Sequence, residues 1–376
     1  MKVFIRTDAS VHIGSGHVMR CIVLAEQLRK RNAEVIFICR KLNGNFIAFL
    51  QEKGFPVQIL PDYVEANENI VKWMETYWQL DGKETIERME KRKESFDWLI
   101  IDHYGIDAKW ERFVKPFVKN IMVIDDLANR PHHCNLLLDQ NLYPNMEKRY
   151  QHLVSNDTKQ LLGLKYLLLR DEFKPFKNFT RTVDKVKKIL ISFGGSDATN
   201  ETLKAIKAIH SLHLPNVNVD VVIGYSNPHH HTIHTYSQYI PYINIHENVN
   251  YIATLMKEAD IAIGSGGSST WERCFLQLPT LTIETASNQS EILTYLSRIG
   301  AVCHLGKSED VDEHDIVKNL FKLIYDDETR KKMIAILNDL SKRIEENAVL
   351  NHLFLFVDKN CSSNGEDDQG ESKDVR

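Results

Sequence analysis

A chain of 376 residues, 43% hydrophobic and 26% charged, is a globular sequence too long for one ordinary core, so two domains are expected. Its net charge of -4, with acids and bases interspersed, provides no general field for nucleic acid or a membrane surface. No apolar run is long enough for membrane insertion, MKVFIRTD turns charged too soon for a signal peptide, and six scattered cysteines without CxxC spacing fit reduced thiols, so a cytoplasmic protein is expected.

The first element is an apolar strand, Lys2 to Arg6, which runs into a loop holding Gly14 and Gly16. Helical spacing follows at Val18, Cys21, Ile22, Ala25 and Leu28. His17 therefore falls on the first turn of a helix, beside backbone N–H groups without intrahelical partners. That positive end disfavours imidazolium and favours a ring able to accept a proton near neutral pH. The two glycines permit a tight turn and the close approach of a ligand. The plainer alternative is a histidine that caps its own helix.

Strand EVIFICR, helix 45–53 and strand PVQIL come next, then a polar, helix-prone stretch from 65 to 95. Strand DWLIIDHY, helix 107–118 and strand IMVIDD complete an alternation that indicates a mainly parallel sheet covered on both faces. Asp102, His103 and Tyr104 end one strand at the cleft-facing edge, where Asp102 is a candidate substrate contact. Asp125 and Asp126 end another; paired acids there could hold a divalent cation or cap a turn. Trp73, Tyr77 and Trp78 read as packing residues.

Periodicity lapses over residues 174–186, an expected interdomain linker. The pattern then restarts with KKILISFGGSD, helix 200–212, VNVDVVIG, helix 230–240, INIHE, helix 251–259, DIAIGSGG, helix 269–278, TLTIE, helix 289–299 and AVCHLG. The organisation expected is a first domain over 1–173 and a second over 187–311. A helical region over 312–360, able to pack back on the first domain, and a disordered tail over 361–376 follow. The fold class is α/β, two doubly wound Rossmann-like units with ligands at the carboxyl ends of the strands, facing an interdomain cleft.

Two strand-to-helix junctions in the second half, SFGGSDATN and GSGGSSTWE, place small residues beside helix N-termini, as a diphosphate requires. Neither is a P-loop or a dinucleotide fingerprint, and tight helix–strand packing is the plainer reading of either alone. Two at corresponding positions point to a nucleotide diphosphate, with donors at 194–196 and 266–269 and Glu272 placed to accept from ribose hydroxyls. The histidine-rich NPHHHTIH reads as a surface loop rather than a metal cluster.

The ordered chain resembles the UDP-2,4-diacetamido-2,4,6-trideoxy-β-L-altropyranose hydrolases of pseudaminic acid biosynthesis. The resemblance lies in RTDASVHIGSGHVMRC, IDHYGID, VIDDLANRPHHC with LLLDQN, LLGLKYLLLR, ISFGGSDATN and GSGGSSTWERCFLQLPTLTI followed by NQ. The second-half motif is also similar to that of the lipid II N-acetylglucosaminyltransferase. The resemblance implies a GT-B fold, a UDP-sugar substrate, no metal or other cofactor, and attack of water on the anomeric carbon. It puts the catalytic histidine on His17 and the substrate-contacting arginine and glutamate on Arg170 and Glu272. The wider binding set expected takes in Asp8, Gly14, Gly16, Asp102, Tyr104, Gly194, Gly195, Ser196, Gly266, Gly267, Ser268, Ser269, Asn288 and Gln289. A monomer or weak oligomer is expected. The competing readings are a GT-B glycosyltransferase with an acceptor hydroxyl in place of water, and a non-catalytic nucleotide-sugar-binding protein.

Overall fold

The computed structural model describes residues 1–63 and 69–363, with side chains through residue 357 of the last helix. Residues 65–68 of the expected polar stretch and 364–376 of the expected tail lie outside the described residues.

In the first half, strands and helices alternate as β1 (Lys2–Thr7), α1 (Gly16–Lys30), β2 (Glu34–Arg40), α2 (Ile47–Glu52), β3 (Val57–Leu60), α3 (Ile70–Glu90), β4 (Trp98–Asp102), α4 (Ala108–Val114), β5 (Asn120–Ile124), β6 (Leu136–Asp139) and β7 (Lys159–Leu162). The strands form a seven-stranded sheet in the order β3-β2-β1-β4-β5-β6-β7. Every pairing in it is parallel. Side chains alternate between its two faces. Val3 and Ile5 pack in the layer of α1, while Phe4 packs with Trp73, Met74 and Trp110 of α3 and α4. The helix expected over 107–118 stops at Val114, because Pro116 lacks an N–H and diverts the chain into a 3-10 turn.

The second half runs β8 (Lys188–Ser192), α5 (Glu201–Ser211), β9 (Asn218–Ile223), α6 (His230–Ser237), β10 (Ile243–Glu247), α7 (Ile252–Glu258), β11 (Ile261–Ser265), α8 (Ser269–Phe275), β12 (Thr280–Glu284), α9 (Ser290–Arg298) and β13 (Cys303–Lys307). These strands form a six-stranded parallel sheet, β10-β9-β8-β11-β12-β13. In both sheets the order reverses between two adjacent strands, β1 and β4 in the first and β8 and β11 in the second. Loops leaving such a pair diverge and open a crevice.

Three helices close the chain: α10 (Glu313–Tyr325), α11 (Asp327–Ser341) and α12 (Ala348–Ser363). α12 returns to the first half, where Val349, Leu350 and Leu353 are buried among α1 and its strands. The indole of Trp98 donates to the Leu353 carbonyl at 3.2 Å. The helix continues to Ser363, so 361–363 are helical rather than the start of the tail.

Residues 174–186 are less free than a linker reading implies. The buried guanidinium of Arg181 donates to the carbonyls of Met256, Leu276 and Ala259, fixing this stretch to the back of the second sheet. Desolvation, only partly offset by the charge of Asp260, brings its pKa down to about 10.

Candidate active site

β1 and β4 are in register at Thr7 and Asp102, so the loops after them begin side by side. The β1 loop turns at Gly14, whose φ of +69° lies in the region glycine adopts without a Cβ penalty. α1 then starts at Gly16, which has an ordinary φ and open space around it. His17 therefore stands in the first turn of α1, directly above the end of β4.

His17 does not cap its helix. Its Nδ1 lies 2.6 Å from Oδ1 of Asp102. A carboxylate accepts only, so Nδ1 carries the hydrogen, and in the neutral ring the lone pair is on Nε2. Asp102 is fully buried, and its oxygens also accept from Arg20 Nε at 2.5 Å and Nη2 at 2.7 Å. Burial alone would raise the Asp102 pKa. Arg20 and then His17 overcome it and hold the carboxyl well below the usual carboxylate range. Tyr104 meets the His17 ring edge-on at 4.3 Å, with its phenol held protonated by burial and then by neighbouring Asp126.

Two expected substrate contacts on this side are fully buried and engaged by protein groups. Asp102 lies behind the imidazole with its lone pairs committed. Asp8 is fully buried; it accepts from the Arg40 backbone N–H at 2.6 Å and pairs with Arg6 at 2.8 Å. Beneath it, Asp81 of α3 bridges Arg6 and Arg40, each at 2.7 Å, and accepts from the Trp110 indole. Glu84 adds a second carboxylate to Arg40 at 2.7 Å. The polar face of the 65–95 stretch thus supplies the counter-charges of a buried network. Trp73 packs under Arg40 at 4.8 Å, and Trp78 lies against Phe113, whereas Tyr77 is 48% exposed.

The paired acids Asp125 and Asp126 are engaged by protein. Asp125 binds Arg130 and accepts from Tyr150, while Asp126 binds Arg20 and Tyr104. In the histidine-rich segment, His230 and His234 both bond Glu247. Among the described residues no group of three His, Cys, Asp or Glu side chains is arranged to hold a metal ion.

On the opposite edge, β8 and β11 pair Ser192 with Gly264, so the two glycine-rich turns leave adjacent strands. Gly194 and Ser268 are exposed, with Gly195, Ser196, Gly267 and Ser269 half-buried. The N-terminus of α5 is not free: Asp197 accepts from the N–H groups of Glu201 at 2.9 Å and Thr202 at 3.0 Å. In the first junction the exposed turn itself, 194–196, is what faces outward. In the second, Gly266 is buried against Leu293 and gives its N–H to Gln289 Oε1 at 3.1 Å. Gly266 and Gln289 therefore brace the turn from beneath, and Gly267 to Ser269 form its outer surface. Arg273, overlooked in the sequence, is buried under this turn and donates to Ser265, Ser269 and Thr270. Among the described residues it makes no ion pair, and desolvation, only partly offset by the charge of Glu272, lowers its pKa to about 10.

The two edges touch. A Cβ at Gly195 would lie 2.2 Å from Ser15 Oγ, so glycine is what lets the second-half turn approach the loop before His17. Asn288 donates to the Tyr104 hydroxyl at 3.0 Å, the Trp271 indole donates to Asn141 at 2.7 Å, and Arg149 pairs with Glu291 at 2.9 Å. Arg170, where the chain leaves the first half, forks onto both oxygens of Glu272 at 2.6 and 2.7 Å. The structure thus joins Arg170 and Glu272 directly, and each Glu272 oxygen keeps a second lone pair.

The chain is similar in sequence and fold to known proteins. Residues 189–347 match the glycosyltransferase family 28 C-terminal domain. A solved structure of Acinetobacter baumannii MurG superposes with a TM-score of 0.60 over 95% of this chain and 99% of its own, at 13% identity. The protein is accordingly of the GT-B fold, and its similarity to the family 28 C-terminal domain falls on the second half. Among curated proteins it is 28% identical over 302 residues to the Campylobacter jejuni UDP-2,4-diacetamido-2,4,6-trideoxy-beta-L-altropyranose hydrolase, covering 80% of this chain and 97% of that one. It is 30% identical over 310 residues to protein MJ1062 of Methanocaldococcus jannaschii, of which it spans 59%. The resemblance carried by the motifs therefore extends along most of the chain.

Proposed function

We propose that the protein hydrolyses a UDP-sugar, UDP-2,4-diacetamido-2,4,6-trideoxy-β-L-altropyranose, to UDP and the free sugar. The observation that carries this reading is the His17–Asp102 pair, seated at one topological switch point and facing two glycine-rich turns at the other. In this reading Asp102 fixes the tautomer, and His17 Nε2 takes a proton from water as its oxygen attacks the anomeric carbon. The anomeric C–O bond breaks, and UDP leaves with the bridging oxygen and the electron pair. Turns 194–196 and 267–269 lie where charge grows on the diphosphate, above the buried Arg273 cation. UDP is a good leaving group, so the scheme needs a base and an anion cradle but no metal. The relative named for this hydrolysis supports the choice of substrate.

The family 28 domain favours one other reading, transfer of the sugar to an acceptor hydroxyl. Incubation with the UDP-sugar in ¹⁸O-water and no acceptor separates them. Hydrolysis puts label on the anomeric oxygen of free sugar, read before exchange, with inverted configuration and none in UDP. Turnover that waits for an acceptor would identify a transferase, and label in phosphate would place the attack at phosphorus.

A further inference from the structure

Asp126 lies beyond the pair just described and touches two of the residues that link it to the second half, Tyr104 and Arg149. Its Oδ2 accepts from Arg20 Nη1 at 2.6 Å, and its Oδ1 accepts from the Tyr104 hydroxyl at 2.7 Å. Arg20 holds Asp102 through its other two nitrogens, and Tyr104 accepts from Asn288 across the cleft. The backbone carbonyl of Asp126 accepts from Arg149 at 2.9 Å, and Arg149 grips Glu291 of α9. Two routes from Asp126 therefore reach Asn288 and Glu291, and Gln289 between them braces the Gly266 turn. A third reaches His17.

We propose that Asp126 is a positioning residue that couples engagement of the second-half turn to the proton-accepting state of the His17–Asp102 pair. The proposal rests on the hydrolase reading given above. Its basis is competition for one guanidinium. With Asp126 in place, Arg20 divides its charge between two carboxylates, leaving Asp102 with more negative charge for His17. When the Asn288–Tyr104 bond forms, the Tyr104 hydroxyl is held on Asp126 and fixes that division. Opening the cleft releases Tyr104, and the geometry around Arg20 loosens with it. The charged and titratable groups around His17 in this network are Asp102, Arg20 and Tyr104, with Asp126 acting through the last two.

The test compares kcat and KM across pH 5–9 for Asp126→Asn, Asn288→Ala and the double variant of the full chain, with UDP affinity and Tm as controls. In Asp126→Asn, Arg20 falls wholly on Asp102 and the imidazolium loses support. The acid limb of the kcat profile should move to lower pH, while kcat falls by about tenfold, the scale of coupling between groups in one network. KM and UDP affinity should stay within about twofold. Asn288→Ala should cost kcat in the wild-type background and little in the Asp126→Asn background. An unmoved acid limb, or additive losses in the double variant, would overturn the proposal. If Asp126→Asn does not fold, Tyr104→Phe cuts the same link, and its cycle with Asn288→Ala carries the same two outcomes. Failure of the underlying reading looks different: the wild-type protein would release no free sugar, or His17→Ala would keep its turnover.

Discussion

Along the first-half edge of the cleft the working groups are side chains: His17, Asp102, Arg20, Asp126 and Tyr104, resting on a second buried layer of Arg6, Arg40, Asp8 and Asp81. Along the second-half edge they are mainly backbone, the turns 194–196 and 267–269, with Arg273 beneath one of them. The difference fits the tasks that the proposed function assigns to each edge. Moving a proton needs a titratable group whose tautomer and surroundings are fixed, and fixing it in a dry interior needs paired charges. Holding a diphosphate needs several weak donors at close range, which small residues provide by keeping out of the way. Substitutions should accordingly act on rate at one edge and on affinity at the other.

The largest expected effect is on rate. His17→Ala should lower kcat by ~10²–10⁴-fold, with UDP binding by calorimetry unchanged, and Asp102→Asn should fall in the same range because the ring loses its tautomer. Near-normal turnover in either variant would remove the base from this edge. Next is stability. Asp81→Ala leaves Arg6 and Arg40 short of a buried counter-charge and should cost ~3–5 kcal/mol in denaturant unfolding; a loss below 1 kcal/mol would mean the inner layer is not needed. On the second edge, Gly267→Val adds a side chain where a Cβ meets open space. It should leave Tm unchanged and weaken UDP by about tenfold, ~1.4 kcal/mol. Unchanged affinity would take the diphosphate away from this turn.

A smaller effect concerns pH. Burial, then the charge of Asp126, pushes Asp139 up to about 7 despite Arg149 Nε 3.2 Å away. Its folded pKa is thus above the unfolded value of about 3.9, so its stabilising contribution is complete below pH ~4 and is lost as pH rises through ~7. Thermal unfolding of Asp139→Asn should show a flatter dependence between those limits than the wild type. A slope identical to the wild type would assign the titration elsewhere. The smallest expected effect is none: excess EDTA should leave turnover unchanged if both edges work without a metal.

The two edges also differed in how far the sequence disclosed them. The strands were legible because both sheet faces are covered, so each strand is one apolar run. The short β6 and β7, four residues each, were too brief to carry a period. The His17 turn and both glycine-rich turns are local signals, and they lie where local signals put them. What stayed hidden is pairing over distance. Asp102 stands 85 residues from His17, and their meeting depends on β1 and β4 being neighbours. Arg20, one turn beyond His17 on the same helix face, was available to a periodicity argument; its two carboxylates were not. Asp8 is expected as a site residue from the motif it belongs to, and its burial and its pairing with Arg6 likewise depend on the fold.

The polypeptide passes between the halves twice, near residue 170 and again near 345, and the two passages lie side by side. Lys165 pairs with Glu345 at 3.1 Å and Lys177 with Glu346 at 3.4 Å, while the Glu345 N–H reaches the Lys165 carbonyl at 3.3 Å. A body held by two adjacent straps has one easy motion, a swing about the line that joins them, like a door on a pair of hinges. Twisting and sliding would strain one strap or the other. A swing about that line would carry the Ser15–Gly195 and Tyr104–Asn288 contacts together, because both lie across the same cleft. The return of α12 to the first half is thus what sets a second crossing beside the first.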